Sequence, residues 1–373
     1  MGCSVAYMQS SAIANVLYLF YGGFMAFLTE QELESLRIDQ SVFHIVGPGE
    51  EHFQLLTAFD AGRHAAFFLG RVRSVNSGNR YEFLADAPVQ AQLARISRDR
   101  ATFQEESEKL ATAFNEAHGG STAVGAFLIF SLSCSSGRLF ALLKFEDEKV
   151  LSYDYDVSRG RSGKPKPTFG EIERTFVQNR NALQKAALIK LRKDGDEICV
   201  IDRQNPQRPA AYFEQFLLVR RQRTEEELTK TIINVTRNIA QKHKDMLPPD
   251  TMKNLAQRLY DASQSGGSVD GESAENWLES IFGPLPDNSP VVKDFKAELK
   301  REGMVGESFV LQKNAIQAPR NRRVETASGV KLTFPVGLTS SVVSVNPDKG
   351  EIIIKDKITL DDFELSTSGR TRS

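Results

Sequence analysis

The chain has 373 residues, with 47 basic and 48 acidic side chains and a formal net charge of −1. That length is roughly two to three times the usual single domain, so at least two folding units are expected. At 40% hydrophobic and 25% charged residues the usage is that of a globular protein, which excludes a disordered, collagenous or multi-span membrane chain. Cys3, Cys134 and Cys199 are too few and too scattered for a disulfide framework or a zinc site, which fits a reducing compartment.

Ser11 to Leu28 is the most apolar run. It has no preceding Lys or Arg and no small-x-small cleavage site, so it does not read as a secretory signal. It is slightly short for a membrane span, contains Asn15 and two glycines, and lacks flanking cations. Gly2-Cys3-Ser4 hints at myristoylation, but Ala6 stands where Ser or Thr is needed. The expectation is that translation starts at Met25; an anchor helix or a core helix are the alternatives.

Two apolar stretches, Ser41–Val46 and His64–Val72, flank Gly47-Pro48-Gly49 and read as strand or short helix. Asp99–His118 reads as a helix, with Phe103, Leu110 and Phe114 on one face and Gly119-Gly120 as its stop. A β-meander is expected next: Val124–Cys134, Arg138–Phe145 and Lys149–Asp154, joined by short turns. Arg159–Thr168 reads as a basic, Gly- and Pro-rich loop. Leu183–Leu191 and Glu197–Asp202 then form a hairpin across Asp194-Gly195.

The pattern becomes helical at Thr224, whose capping box with Glu227 precedes Leu228, Ile232, Val235 and Ile239 on one face. Pro248-Pro249 stops that helix, and a second runs over Asp250–Ser263. Gln264–Gly271 reads as a flexible link. Ser289-Pro290 starts a helix closed by Gly303. Short strands follow at Gly329–Phe334, Ser341–Val345 and Glu351–Lys355, then a disordered tail. The expected fold is α+β: an antiparallel-sheet N-terminal domain, a helical segment and a small C-terminal β-element. The expected divisions are 1–27 as an apolar extension, 28–222, 223–365 and a tail at 366–373.

No phosphate-cradling glycine loop, metal-binding His or Cys spacing, or nucleophile elbow occurs, so no enzyme and no cofactor is indicated. The best acidic cluster, Asp154 and Asp156 with Lys144 or Lys185 on nearby strands, suggests a metal-dependent nuclease, or else a strand end facing water. Basic clustering is the stronger signal. Arg174–Arg223 carries eleven Lys/Arg against five acids, and Lys313–Lys331 five against one, while Thr224–Glu307 between them carries ten against fifteen. Such segregation suits phosphate binding by counterion release, without base readout; solvated or internally paired faces are the alternative. The densest points are Arg220, Arg221 and Arg223, then Arg320, Arg322 and Arg323. The Lys190, Arg192 and Lys193 hairpin is the accessory candidate. No helix-turn-helix signature and no aromatic ladder for single strands is present.

Three blocks carry a resemblance: Asn181–Ile189 (NALQKAALI), Ile198–Gln204 (ICVIDRQ) and Ala210–Leu217 (AAYFEQFL). They occur in the order found in the bacterial nucleoid-associated NdpA family, which this chain resembles over roughly Val42 to Leu360. Gly125–Ile129, Phe140–Lys144, Val330–Phe334 and Gly350–Asp356 look like further strands of that family. The resemblance implies a cytoplasmic, nucleoid-associated protein that binds double-stranded DNA with little sequence preference, as a homo-oligomer. Lys185 reads equally as a structural pair or a phosphate ligand. A DNA-sensing or scaffold component of a phage-defence system, with a protein partner from the same operon, is the alternative. A membrane partner is not expected.

Overall fold

A computed structural model describes residues 27–118, 123–146, 148–156, 166–176, 182–193, 195–286, 288–346 and 349–361, with the backbone alone for 118, 148–156 and 166–175. The Met25 start, the Gly119-Gly120 stop, most of the basic loop at 159–168, Asp194 and the 366–373 tail lie outside the described residues.

The first helix, α1 (Glu30–Glu34), is closed at its start by a capping box between Thr29 and Glu32. β1 (Arg37–Val46) follows. His64–Val72, open between strand and helix from its pattern, is mostly helix α2 (Ala65–Ser74). β2 (Asn79–Phe83), α3 (Pro88–Arg98) and α4 (Phe103–His118) come next. The strands β3 (Gly125–Cys134), β4 (Gly137–Glu146), β5 (Glu148–Asp156), β6 (Lys166–Thr175), β7 (Leu183–Lys190) and β8 (Glu197–Asp202) succeed one another. Then come α5 (Ala211–Leu217) and β9 (Val219–Arg221).

Seven of these strands form one antiparallel sheet in the order β1-β3-β4-β7-β8-β2-β9. Its middle is buried on both faces, which is why β3, β4 and β7 read as nearly continuous apolar runs. Phe127, Ile129, Phe140, Leu142, Ala187 and Ile189 pack on one face with α3, α4 and α5. The alternating residues Leu128, Phe130, Leu139, Ala141, Ala186 and Leu188 pack on the other, against Phe27, Leu28 and α2.

The expected meander is corrected at its third strand. β4 takes β7 as its second neighbour, while β5 turns away to pair with β6 in a separate two-stranded ribbon. β7 brings the apolar Leu183, Ala186, Ala187, Leu188 and Ile189 into the sheet and buries Lys185 and Lys190 against Asp202 and Glu32. The ribbon extends into Lys166–Thr168, which had read as loop.

The helical segment begins with α6 (Glu225–Lys242), whose Thr224–Glu227 capping box forms as expected. The second helix is split at Asn254 into α7 (Pro249–Lys253) and α8 (Leu255–Gln264). The supposed flexible link contains β10 (Ser268–Val269), which pairs with β11 (Phe309–Val310) and buries Val269. Between these lie α9 (Glu275–Phe282), which the reading above lacks, and α10 (Pro290–Arg301). Ile232, Leu259, Trp277, Phe295 and Phe309 share their core.

The chain divides into two units, Met1–Ile316 and Gln317–Ser373. The second contains two hairpins: β12 (Asn321–Glu325) with β13 (Lys331–Pro335), and β14 (Val343–Asn346) with β15 (Glu351–Ile354). Gly350 takes a positive φ of 65° in the second turn. The architecture is α+β, with the sheet first, helices next and small β-hairpins last.

Candidate nucleic-acid interface

The loop after β8 is set by Asp202. One of its carboxylate oxygens accepts the backbone N–H of Gln204 (3.0 Å) and Asn205 (3.3 Å), and the other that of Ala210 (2.9 Å). The Lys185 ammonium lies 3.3 Å from Asp202, with both side chains buried, and also stands over the Tyr212 ring. The three resemblance blocks therefore meet here as one structural unit, and Lys185 is a pair for Asp202. The loop they hold presents Arg208, which the sequence reading missed. Its guanidinium bonds Glu214 at 3.1 Å yet stays largely exposed. The signal was available in Pro206–Pro209, where two prolines around an arginine mark a rigid exposed turn.

Leu218 adopts a left-handed φ of 52°, which turns the chain from α5 into β9, the edge strand of the sheet. Alternation along β9 turns Val219 inward and Arg220 outward. Arg220 Nε donates to Glu82 Oε1 across the strand pair, and its side chain remains 69% exposed. Arg208, Arg220, Arg221 and Arg223 line one cleft of about 430 Å³ with Tyr81, Glu214 and Glu225.

The other two arginines of that junction are engaged internally. Arg221 is 15% exposed. Its Nη2 donates to Glu307 Oε2 (2.6 Å) and Ser308 O (2.8 Å), and its Nη1 to Gln207 O (3.1 Å). Glu307 is itself buried and accepts the Arg80 N–H at 3.0 Å, so the pair staples the sheet edge to the helical segment. Arg223 donates to Glu302 O (3.0 Å) and Gly303 O (2.5 Å), carbonyls at the end of α10. Burial pushes its guanidinium down from the usual range. Both arginines read from sequence as phosphate ligands; the structure gives them structural partners.

Lys190 is likewise buried. Its ammonium donates to Phe27 O (2.7 Å) and Glu32 Oε1 (2.9 Å), beneath α1. It does not face the solvent that a phosphate would arrive from. Arg192 pairs loosely with Glu197 at 3.3 Å, and both it and Lys193 are exposed at the hairpin tip.

In the second unit, Arg322 and Arg323 lie on β12, a strand that the sequence reading had placed only after them. Alternation sends Arg323 to one face with Lys331, where both meet Glu325 at 3.2 and 3.6 Å. Arg322 goes to the other face, opposite Phe334 and half-buried. Arg320, exposed, donates to Gln317 at 2.8 Å and shares Arg322's parity. Arg322 and Arg323 thus lie on opposite faces of the hairpin.

The acidic alternative names Asp154 and Asp156 with Lys144 or Lys185. The side chains of Asp154 and Asp156 lie outside the described residues. Lys144 is buried, donating to Ala123 O and Phe145 O at 3.2 Å each. Among the described residues no group of three or more His, Cys, Asp or Glu could hold a metal ion. None of the described helices is long and apolar enough to cross a membrane.

Exposed arginines thus stand at the sheet edge, as Arg220, and on the β12–β13 hairpin, as Arg323. Residues 64–360 match the family model described as nucleoid-associated protein YejK, and the chain belongs to that family. No curated protein matches it.

Proposed function

We propose that this protein binds double-stranded DNA along the phosphate backbone, without base readout and without catalysing a reaction, in the bacterial nucleoid. The observation that carries the reading is the family match over residues 64–360. The surface supports it: Arg208 and Arg220 border one cleft, each held by a single carboxylate and largely exposed. An exposed pair of that kind is worth only about 0–1 kcal/mol, so a phosphate can share or displace the carboxylate at little cost. Glu214 and Glu225 also line the cleft, which favours a contact at its arginine rim over a phosphate held at its floor. Arg192, Lys193, Arg320, Arg323 and Lys331 are further exposed cations of the basic stretches, while Arg221, Arg223 and Lys190 hold the fold that presents them.

Competition between labelled and unrelated duplexes tests the reading. Duplexes of any sequence should displace one another equally, and Arg208→Glu with Arg220→Glu should weaken binding to all of them alike. Marked preference for one sequence, or unchanged binding in the double variant, contradicts it.

A further inference from the structure

Among the described strands of the second unit, β15 leaves apolar residues exposed on both of its faces. Ile353 is 46% exposed and Ile354 54%. The following segment continues with Ile358 and Leu360, still more exposed. On one edge β15 pairs with β14; on the other no strand is present among the described residues. Three consecutive isoleucines on an open edge are a template for another strand, which natural edges normally avoid with charge, proline or a bulge. Here the charges flank the isoleucines instead of interrupting them, in the order Glu351-Ile352-Ile353-Ile354-Lys355.

The backbone pattern fixes how a partner would add. The Lys355 N–H donates to Val342 O at 2.9 Å, so Glu351, Ile353 and Lys355 direct their backbone groups toward β14. The N–H and C=O groups of Ile352 and Ile354 therefore point to the open edge. Two copies of this strand laid antiparallel about Ile353 set Ile352 opposite Ile354 of the other copy, so the outward groups bond in pairs. The same register puts Glu351 opposite Lys355 twice over, by symmetry. Moving the centre to Ile352 or Ile354 keeps the bonding parity but loses both Glu351–Lys355 pairs.

We propose that β15 is a homotypic docking edge: two copies of this chain join antiparallel through Glu351–Lys355, centred on Ile353, to make a continuous four-stranded sheet. The occupant is a second copy because the edge is charge-complementary to itself: Glu351 and Lys355 stand two residues on either side of Ile353, so each faces the other across a two-fold centred there. Opposed cross-strand charges and apolar pairs contribute on the order of 0.2–1 kcal/mol each, and like charges directly opposite cost similar amounts. The symmetric junction counts every such change twice. This inference does not depend on DNA binding.

Sedimentation velocity on the full chain, free of DNA, tests it. The wild-type chain should dimerise at micromolar concentration. Glu351→Lys and Lys355→Glu should each weaken the dimer roughly tenfold, and the two together should restore it. Ile354→Pro should also weaken it, because it deletes an N–H that faces the open edge and leaves the β14 ladder whole. Ile353→Cys provides a readout independent of stability. At a non-hydrogen-bonded pair the two Cα atoms approach to about 4.5 Å, within disulfide reach, so mild oxidation should link two chains through it where wild type stays unlinked. A wild-type chain that stays monomeric overturns the proposal. So does a dimer indifferent to the single reversals, or one that the double reversal fails to restore.

Discussion

Arg221 and Arg220 are adjacent in the chain and opposite in role, and the difference lies in strand alternation. Arg220 points out of the edge strand to meet Glu82, while Arg221 points in, to the buried Glu307. Breaking a buried pair by removing one partner leaves the other charge desolvated, at a cost of about 3 kcal/mol or more. Arg221→Ala should therefore lower unfolding stability in urea by about that amount, and adding Glu307→Gln should recover part of it. Equal stability of Arg221→Ala and wild type would show the pair to be idle.

Two buried groups, Glu32 and His44, make stability sensitive to acid. Burial alone would raise the Glu32 carboxyl, but hydrogen bonds from Ser136, the Thr29 N–H and Lys190, with the charge of Lys190, outweigh it and hold the group down to about 2. Burial pushes His44 down to about 4 against a weaker opposing pull from Glu108, and its Nδ1 accepts the Leu56 N–H. Both folded values lie below the unfolded ones, so the unfolded chain binds more protons in acid. The His44 contribution is complete above about pH 6.5 and is lost toward pH 4. The Glu32 contribution is complete above about pH 4.5 and is lost toward pH 2. Urea midpoints should thus fall from pH 7 to 5 in wild type, and fall less in His44→Phe. Between pH 5 and 3 the further fall should be shallower in Glu32→Gln. Parallel curves for all three chains would refute the assignment.

Among the elements, the β12–β13 ribbon shows how much a sequence cluster can mislead. Arg320, Arg322 and Arg323 look like one patch when the chain is drawn as a line, but a period of two separates Arg323 from Arg322. A duplex lying on the Arg323 and Lys331 face should lose affinity on reversal of those two charges and be nearly indifferent to Arg322→Ala. Equal losses in filter binding would mean that the ribbon is gripped from both faces. The elements that were legible are those whose patterns are local: the Thr224 capping box, the apolar runs of β3 and β4, and the antiparallel pairing of β7 with β8. The partner of β5 was not legible, because a short turn after β4 says nothing about whether the distant β7 competes for the same edge. For the same reason β10 passed as a link: two residues become a strand only because Phe309 and Val310 arrive beside them.

At the scale of the whole molecule, a net charge of −1 coexists with membership of a nucleoid-associated family because charge is sorted along the chain and then sorted again by folding. The first sorting was visible as basic runs on either side of an acidic helical segment. The second was not: Arg221, Arg223 and Lys190 are drawn inward by Glu307, by the carbonyls ending α10, and by Glu32. Arg208 comes forward because Asp202, paired with Lys185, fixes its loop. The proposed function rests on the family match, and the cations left outside support it. Binding that releases counterions makes log K fall linearly with log salt, with a slope of about −0.9 for each phosphate neutralised. The decisive measurement is therefore that slope for duplex DNA in wild type and in Arg208→Glu with Arg220→Glu. The expected result is a steep wild-type slope that becomes shallower by about two contacts in the double variant. A slope near zero in wild type, or the same slope in both, would contradict phosphate binding through this edge.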